Sequence, residues 1–232
     1  MDFKFMIEIL PEFLSVLHIT ILIIIASSTL GLILSIFVTM IRIKEIKYLS
    51  KIMTLYISFT RSVPIVLQLF LVYYALPVVF SLVGINISNI SAVIATIIAL
   101  TLYNGGYLAE VIRPAYLAVE RGQHEAALSL GYTPFQKLTR IIAPQVIPIA
   151  LPGWGNALIY LIHDTSLIFV IGVLDIMGVA NLLISQSYGS NQVEIFLTIA
   201  VLFWILCLVS DNIVRFLEKR IKYSQIGSGI KQ

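Results

Sequence analysis

Polar side chains capable of holding a small solute stand inside otherwise apolar stretches of this chain. His163, Asp164, Thr165 and Ser166 are consecutive and combine a titratable ring, a carboxylate and two hydroxyls. A charged group inside a membrane-length apolar run is costly, so each one marks a functional contact or an internal pair. Asp164 can hold an ammonium or a side-chain cation; the alternative is an internal ion pair or a cap on broken backbone beside His163. Thr165 and Ser166 can donate to a carboxylate or to their own preceding carbonyls. Asn104, Gly105, Gly106 and Tyr107 form a second polar patch, where the glycines admit either a solute or a neighbouring helix. Glu110 follows, one turn before Arg113, and this spacing predicts an i,i+3 ion pair. Gln68 adds an uncharged donor and acceptor suited to bonding between helices. The candidate solute cavity is lined by Asn104, Tyr107, Glu110, Asp164 and Ser166.

Such groups need a scaffold, and composition places that scaffold in a bilayer. Hydrophobic residues make up 59% of the 232 and charged residues 12%, with a mean hydropathy of +0.99. A soluble domain carries roughly a quarter of its residues charged. A spanning helix needs about 20 apolar residues. Five segments qualify: Ile19–Ile41, Val63–Val83, Ser91–Ile112, Ile149–Ile171 and Ile195–Val214. The fold class expected is all-α, a polytopic membrane protein. Its parts are an amino-terminal segment 1–18, a membrane domain 19–217 and a tail 218–232. Asp2, Glu8 and Glu12 against Lys4 give the first span the wrong flank for a cleavable leader.

Basic residues orient the bundle. Arg42, Lys44, Lys47, Lys51 and Arg61 surround the first connection, Arg113, Arg121, Lys137 and Arg140 the third, and Arg215, Lys219, Arg220, Lys222 and Lys231 follow the fifth span. Ser81–Asn89 and Gly172–Glu194 contain no lysine or arginine. The positive-inside rule then puts the amino terminus outside and the carboxy terminus in the cytoplasm. Ser27, Gly31, Ser35 and Thr39 recur every fourth residue, a stripe that lets a second helix approach closely. Pro148, Pro152, Gly153 and Gly155 interrupt the fourth span, as a kink or as the entry to a pathway. Ile176, Val179, Ala180 and Leu183 keep helical spacing in the external stretch. Cys207 stands alone in an apolar run, a packing residue. The basic, glycine-spaced tail Lys219–Gln232 is expected to be solvated or to touch the membrane surface.

The connection 113–148 carries a polar island, Glu125 to Gln145. Glu125, Ala126, Ala127, Leu128 and Leu130 predict a helix, and Gly131 can end it because glycine tolerates left-handed backbone angles. Thr133 then stands at an N-cap and Pro134 at the first helical position, with a second helix through Phe135–Ile142 until Pro144. Such a helix–turn–helix either docks on another protein or lies on lipid headgroups.

The order E-A-A, three residues, G, nine residues, I, then proline resembles the signature loop of ABC-type importer permeases. Glu125, Ala126, Ala127, Gly131, Ile141 and Pro144 match it, with Ala143 in place of the usual leucine. Arg61–Pro77, Tyr107–Pro114 and Leu151–Asp175 resemble, in order, the second, third and fourth spans of polar amino-acid permeases of the histidine and glutamine type. Departures are Ser62 and Val63 for glycine and threonine, Pro114 for a common glycine, and His163 where lysine is frequent. The resemblance implies a permease subunit of the plasma (inner) membrane whose loop docks on a cytoplasmic ATP-binding subunit. It also implies a second permease, identical or paralogous, and an external solute-binding protein that delivers an amino acid. Lipid is the remaining partner, and no nucleic acid, cofactor or metal is expected. The chain has no Gly-Lys pair, hence no phosphate-cradling G-x-x-x-x-G-K-[ST] loop, and no H-E-x-x-H or G-x-S-x-G turn. It is therefore read as no enzyme, with ATP hydrolysis on another chain. The alternative is an ion-coupled secondary transporter of a small polar solute, a class that often shows internal repeats; no convincing repeat occurs.

Overall fold

The computed structural model describes residues 2–227, and every regular element among them is helical. In chain order these are α1 (Phe3–Ile43), α2 (Lys47–Ser62), α3 (Ile65–Phe70), α4 (Leu76–Leu82), α5 (Ala92–Leu117), α6 (Arg121–Ser129), α7 (Pro134–Lys137), α8 (Ala143–Thr165), α9 (Ile176–Gln186) and α10 (Gln192–Gly227). Among the described residues, five helical segments are long and apolar enough to cross a membrane: Phe3–Ile43, Ile65–Leu82, Ala92–Leu117, Pro134–Thr165 and Gln192–Ile221.

The first boundary differs from the sequence expectation. Residues 1–18 were set apart from the span, yet the helix starts at Phe3 and runs unbroken for 41 residues. Asp2 caps it by accepting from the Lys4 and Phe5 amides at 3.0 and 3.1 Å. Ile9 and Phe13 are buried in a cluster with Ile176 and Ala180 of α9 and Ile195 and Ile199 of α10. Packing against α9 and α10, rather than local hydropathy, keeps this acidic start helical.

Two composite spans contain π turns, and both turns precede a proline at the same offset. Leu71–Ala75 lies ahead of Leu76-Pro77, and Leu138–Ile142 ahead of Ala143-Pro144. Proline lacks the amide that would continue an α ladder and crowds the carbonyl four residues back; a widened turn accommodates both. Pro144 therefore does not stop the helix, contrary to the expectation, and α7 passes through the π turn into α8. The helix ends earlier than expected at the other side, at Thr165 rather than Ile171, followed by a short 3₁₀ turn, Ile168–Ile171.

The largest helix–helix interface joins α1 to α5. Ser27, Gly31, Ser35 and Thr39 are all buried on it, so the stripe serves packing. Ser27 donates to the Ile97 carbonyl at 3.5 Å and Thr39 to that of Ala109 at 3.4 Å. A Cβ added to Gly31 would stand 2.9 Å from Asn104 Nδ2, which is why this close approach requires glycine. The main core cluster joins Ile23 and Ile24 of α1, Leu69 of α3, Leu100 of α5 and Leu161 and Ile162 of α8.

Candidate functional site

Of the five residues proposed from sequence, Asn104 and Tyr107 line one cleft together. Asn104 and Tyr107, one turn apart on α5, face Ala157, Tyr160 and Leu161 of α8 across a small cleft. Tyr103 completes its lining, and about 10 Å³ is open to water, room for about one molecule. The Tyr107 and Tyr160 rings meet edge to face, with centroids 5.8 Å apart.

Asp164 lies one turn beyond Tyr160 and interacts electrostatically with Tyr103. It is the penultimate residue of α8. Its Oδ2 is buried and has no hydrogen-bond partner. Water is excluded there, so an acceptor left unmatched is expensive and ready for a donor. The neighbours do not supply one. His163 turns to the other side, its Nε2 3.6 Å from Cys207 Sγ on α10. Thr165 and Ser166 donate to the carbonyls of Ile162 and His163, both at 2.7 Å. Ser166 is thus the residue that follows the helix end, outside the cleft lining.

Glu110 belongs to a different place. The i,i+3 pair with Arg113 does not form; Glu110 instead pairs with Arg42 at the end of α1 and with Arg61 at the end of α2, the latter at 3.5 Å. Three helices are tied there by one carboxylate. No sequence spacing could reveal it, since the partners lie far apart in the chain. Gln68 likewise serves backbone: its Nε2 donates to the carbonyls of Thr60 and Val63 at 2.9 and 2.8 Å, satisfying the break between α2 and α3. Tyr103 and Tyr160 were missed as site residues. Their signal was present, because Tyr103 lies four residues before Tyr107, and Tyr160 four before Asp164, each pair on one helix face.

The island 125–145 folds locally as its capping residues dictate. Gly131 has φ +76°, and the Tyr132 amide donates to the Ala127 carbonyl at 3.1 Å, closing α6. Thr133 and Gln136 form a reciprocal capping box at the start of α7. Ala127 is buried and anchors α6, while Glu125, Ala126 and Gly131 are exposed. Leu128, Leu130 and Phe135 are exposed as well. Ile141 is half-buried at the base, and Pro144 is exposed in the first turn of α8. His124 of α6 sets its ring against Tyr116 at 5.4 Å, and burial with Lys137 nearby lowers its pKa.

A third carboxylate, Asp175, caps α9. It is fully buried; Oδ1 accepts the Gly178 amide at 3.0 Å and Oδ2 has no partner. Burial raises its pKa to about 6, against the opposing pull of the Gly178 amide. No cluster of three or more histidine, cysteine or acidic residues that could hold a metal occurs among the described residues.

The chain is similar to known proteins along nearly its whole length. Residues 31–223 match the family described as binding-protein-dependent transport system inner membrane component. The chain is 38% identical over 218 residues to the probable amino-acid permease protein YxeN of Bacillus subtilis, covering 94% of this chain and 95% of that one. It is 37% identical to the probable amino-acid ABC transporter permease protein PatM of Vibrio harveyi, covering 97% and 98%. Among solved structures, an amino acid ABC transporter crystallised with histidines superposes with a TM-score of 0.80 at 30% identity, covering 95% and 99%. The MetNI methionine ABC transporter in an inward-facing form superposes at 0.71 and 20% identity, a likeness of fold.

Proposed function

The chain belongs to the family of inner-membrane components of binding-protein-dependent transport systems, and from that premise we propose that it is the permease subunit of an ATP-driven importer carrying amino acids into the cytoplasm. It is a multi-pass protein of the plasma (inner) membrane. The observation that carries the substrate class is full-length similarity to amino-acid permeases, with over 90% of both chains covered.

The finer parts of this reading rest on the residues. The amino terminus faces outside and the carboxy terminus the cytoplasm, as the distribution of basic residues favours. α6, the Gly131 turn and α7 then lie in the cytoplasm and dock on a separate ATP-binding subunit. Exposed Leu128, Leu130 and Phe135 beside Glu125 support this, because apolar side chains held outside a span suit a protein surface. Glu125, Ala126, Ala127, Gly131, Ile141 and Pro144 form or position that contact. A second permease, identical or paralogous, completes the pathway, and an external binding protein delivers the solute.

The solute path runs by the α5–α8 cleft. Asp164 accepts the ammonium or side-chain cation of the amino acid, and Asn104 and Tyr107 line the approach. Ser166 reaches solute only by leaving the His163 carbonyl, and Glu110 acts by joining α1, α2 and α5 near the cytoplasmic end. Copurification tests the docking assignment. An ATP-binding subunit should accompany the wild-type chain and be lost from Glu125→Arg at equal expression. Retention of that subunit would sink the assignment.

A further inference from the structure

A groove of about 520 Å³ lies between α1, α5 and the stretch from the second π turn into α8. No charged side chain lines it; its walls are built from residues such as Ile36, Leu108 and Ala150. It extends along α1 from Ile43 to Leu32, about 16 Å at 1.5 Å per residue. Half of a bilayer's hydrocarbon core is about 15 Å, so the groove crosses one leaflet. Along that length the groove has room for a single hydrocarbon chain.

Three basic residues directly follow residues of the groove lining in sequence. Lys44 follows Ile43, Arg113 follows Ile112 and Arg140 follows Thr139, and each of those preceding residues lines the groove. None of the three cations joins an ion pair among the described residues. Arg113 Nε is buried without a hydrogen-bond partner. Trp154 lines the groove too, with no charge beside it in the lining. We propose that this groove holds one acyl chain of an anionic phospholipid of the cytoplasmic leaflet, with its phosphate on Lys44, Arg113 and Arg140. The leaflet rests on the orientation given under Proposed function. Basic pockets between spanning helices on the cytoplasmic side suit anionic headgroups. The lipid would also back the docking helix, because Tyr116 lines the groove and carries His124 of α6 on its ring.

Trp154 provides the readout. The importer, purified with its companion subunits, is reconstituted in vesicles containing phosphatidylglycerol or phosphatidylcholine brominated on the acyl chains. The difference in fluorescence between Trp204→Phe and the Trp154→Phe, Trp204→Phe double variant isolates Trp154. The expected result is quenching at several-fold lower mole fraction of brominated phosphatidylglycerol than of phosphatidylcholine. Lys44→Gln with Arg140→Gln should erase most of that preference. Equal quenching by both lipids would overturn the headgroup assignment, and no quenching would mean that protein fills the groove. Solute uptake by the same vesicles separates the two claims. Quenching lost with uptake intact removes the lipid site alone, while uptake absent with quenching intact counts against the permease reading alone.

Discussion

Glu110 and Asp164 are both carboxylates set among apolar helices, and their surroundings are opposite. Glu110 is shared between two guanidiniums, on α1 and α2, and its charge is matched on the spot. Asp164 keeps one buried oxygen with no donor at all. Burying an ionised group is tolerable only when a partner compensates it, so a matched carboxylate serves the fold and an unmatched one awaits something. Asp175 shows that an orphan oxygen is not sufficient: it has one too, but its other oxygen caps α9 and it stands apart from the α5–α8 cleft. What distinguishes Asp164 is an unmatched acceptor next to an opening lined with tyrosines.

Breaking the matched end should cost the most stability. Arg42→Met leaves Glu110 with the more exposed Arg61 alone, and thermal unfolding in detergent should show a loss of about 2–3 kcal/mol, discounted from a fully buried pair because Glu110 is partly open to water. A loss of that size from Asp164→Asn instead would reverse the comparison.

Asp175 sharpens it through pH. Its folded pKa, about 6, lies above the ordinary carboxylate value of 3.8 because burial disfavours the charge. The folded chain therefore holds the proton more tightly than the unfolded one. This contribution to stability is fully present below about pH 4 and is lost as pH rises through about 6. Asp175→Asn keeps an acceptor for the Gly178 amide and should flatten that slope, raising stability at pH 7 by something of order 2 kcal/mol. An unchanged slope between pH 4 and 7 would show that another group titrates there.

Smaller effects belong to the cleft. Asp164→Asn should lower uptake about ten-fold, about 1.4 kcal/mol, with stability unchanged or raised, since a neutral amide is easier to bury. Gly31→Ala presses its Cβ on Asn104 and should cost about 1 kcal/mol in stability, with a modest fall in uptake as the Asn104 side chain shifts.

The sequence made the helical class, the five spanning segments and the α1 stripe legible, because hydropathy over 20 residues and a four-residue repeat are properties of single segments. Thr133, Pro134 and Gly131 likewise announced their turn, since capping is local chemistry. The extent of α1 was not legible, as Ile9 and Phe13 are held by distant α9 and α10. Neither was the role of Glu110: its nearest cation in sequence, Arg113, was the wrong one, and only tertiary packing brings Arg42 and Arg61 to it. The end of α8 was not legible either, since it stops at Thr165, earlier than hydropathy suggested, and leaves Asp164 in its last turn.

The most direct test of the central claim is uptake of labelled amino acids by proteoliposomes holding this chain with its ATP-binding subunit and binding protein. Wild type should accumulate an amino acid only with ATP on the cytoplasmic side and regardless of a protonophore, and Asp164→Asn should accumulate about ten-fold less. Uptake that ignores ATP and collapses with the ion gradient would contradict the account and point to a secondary transporter.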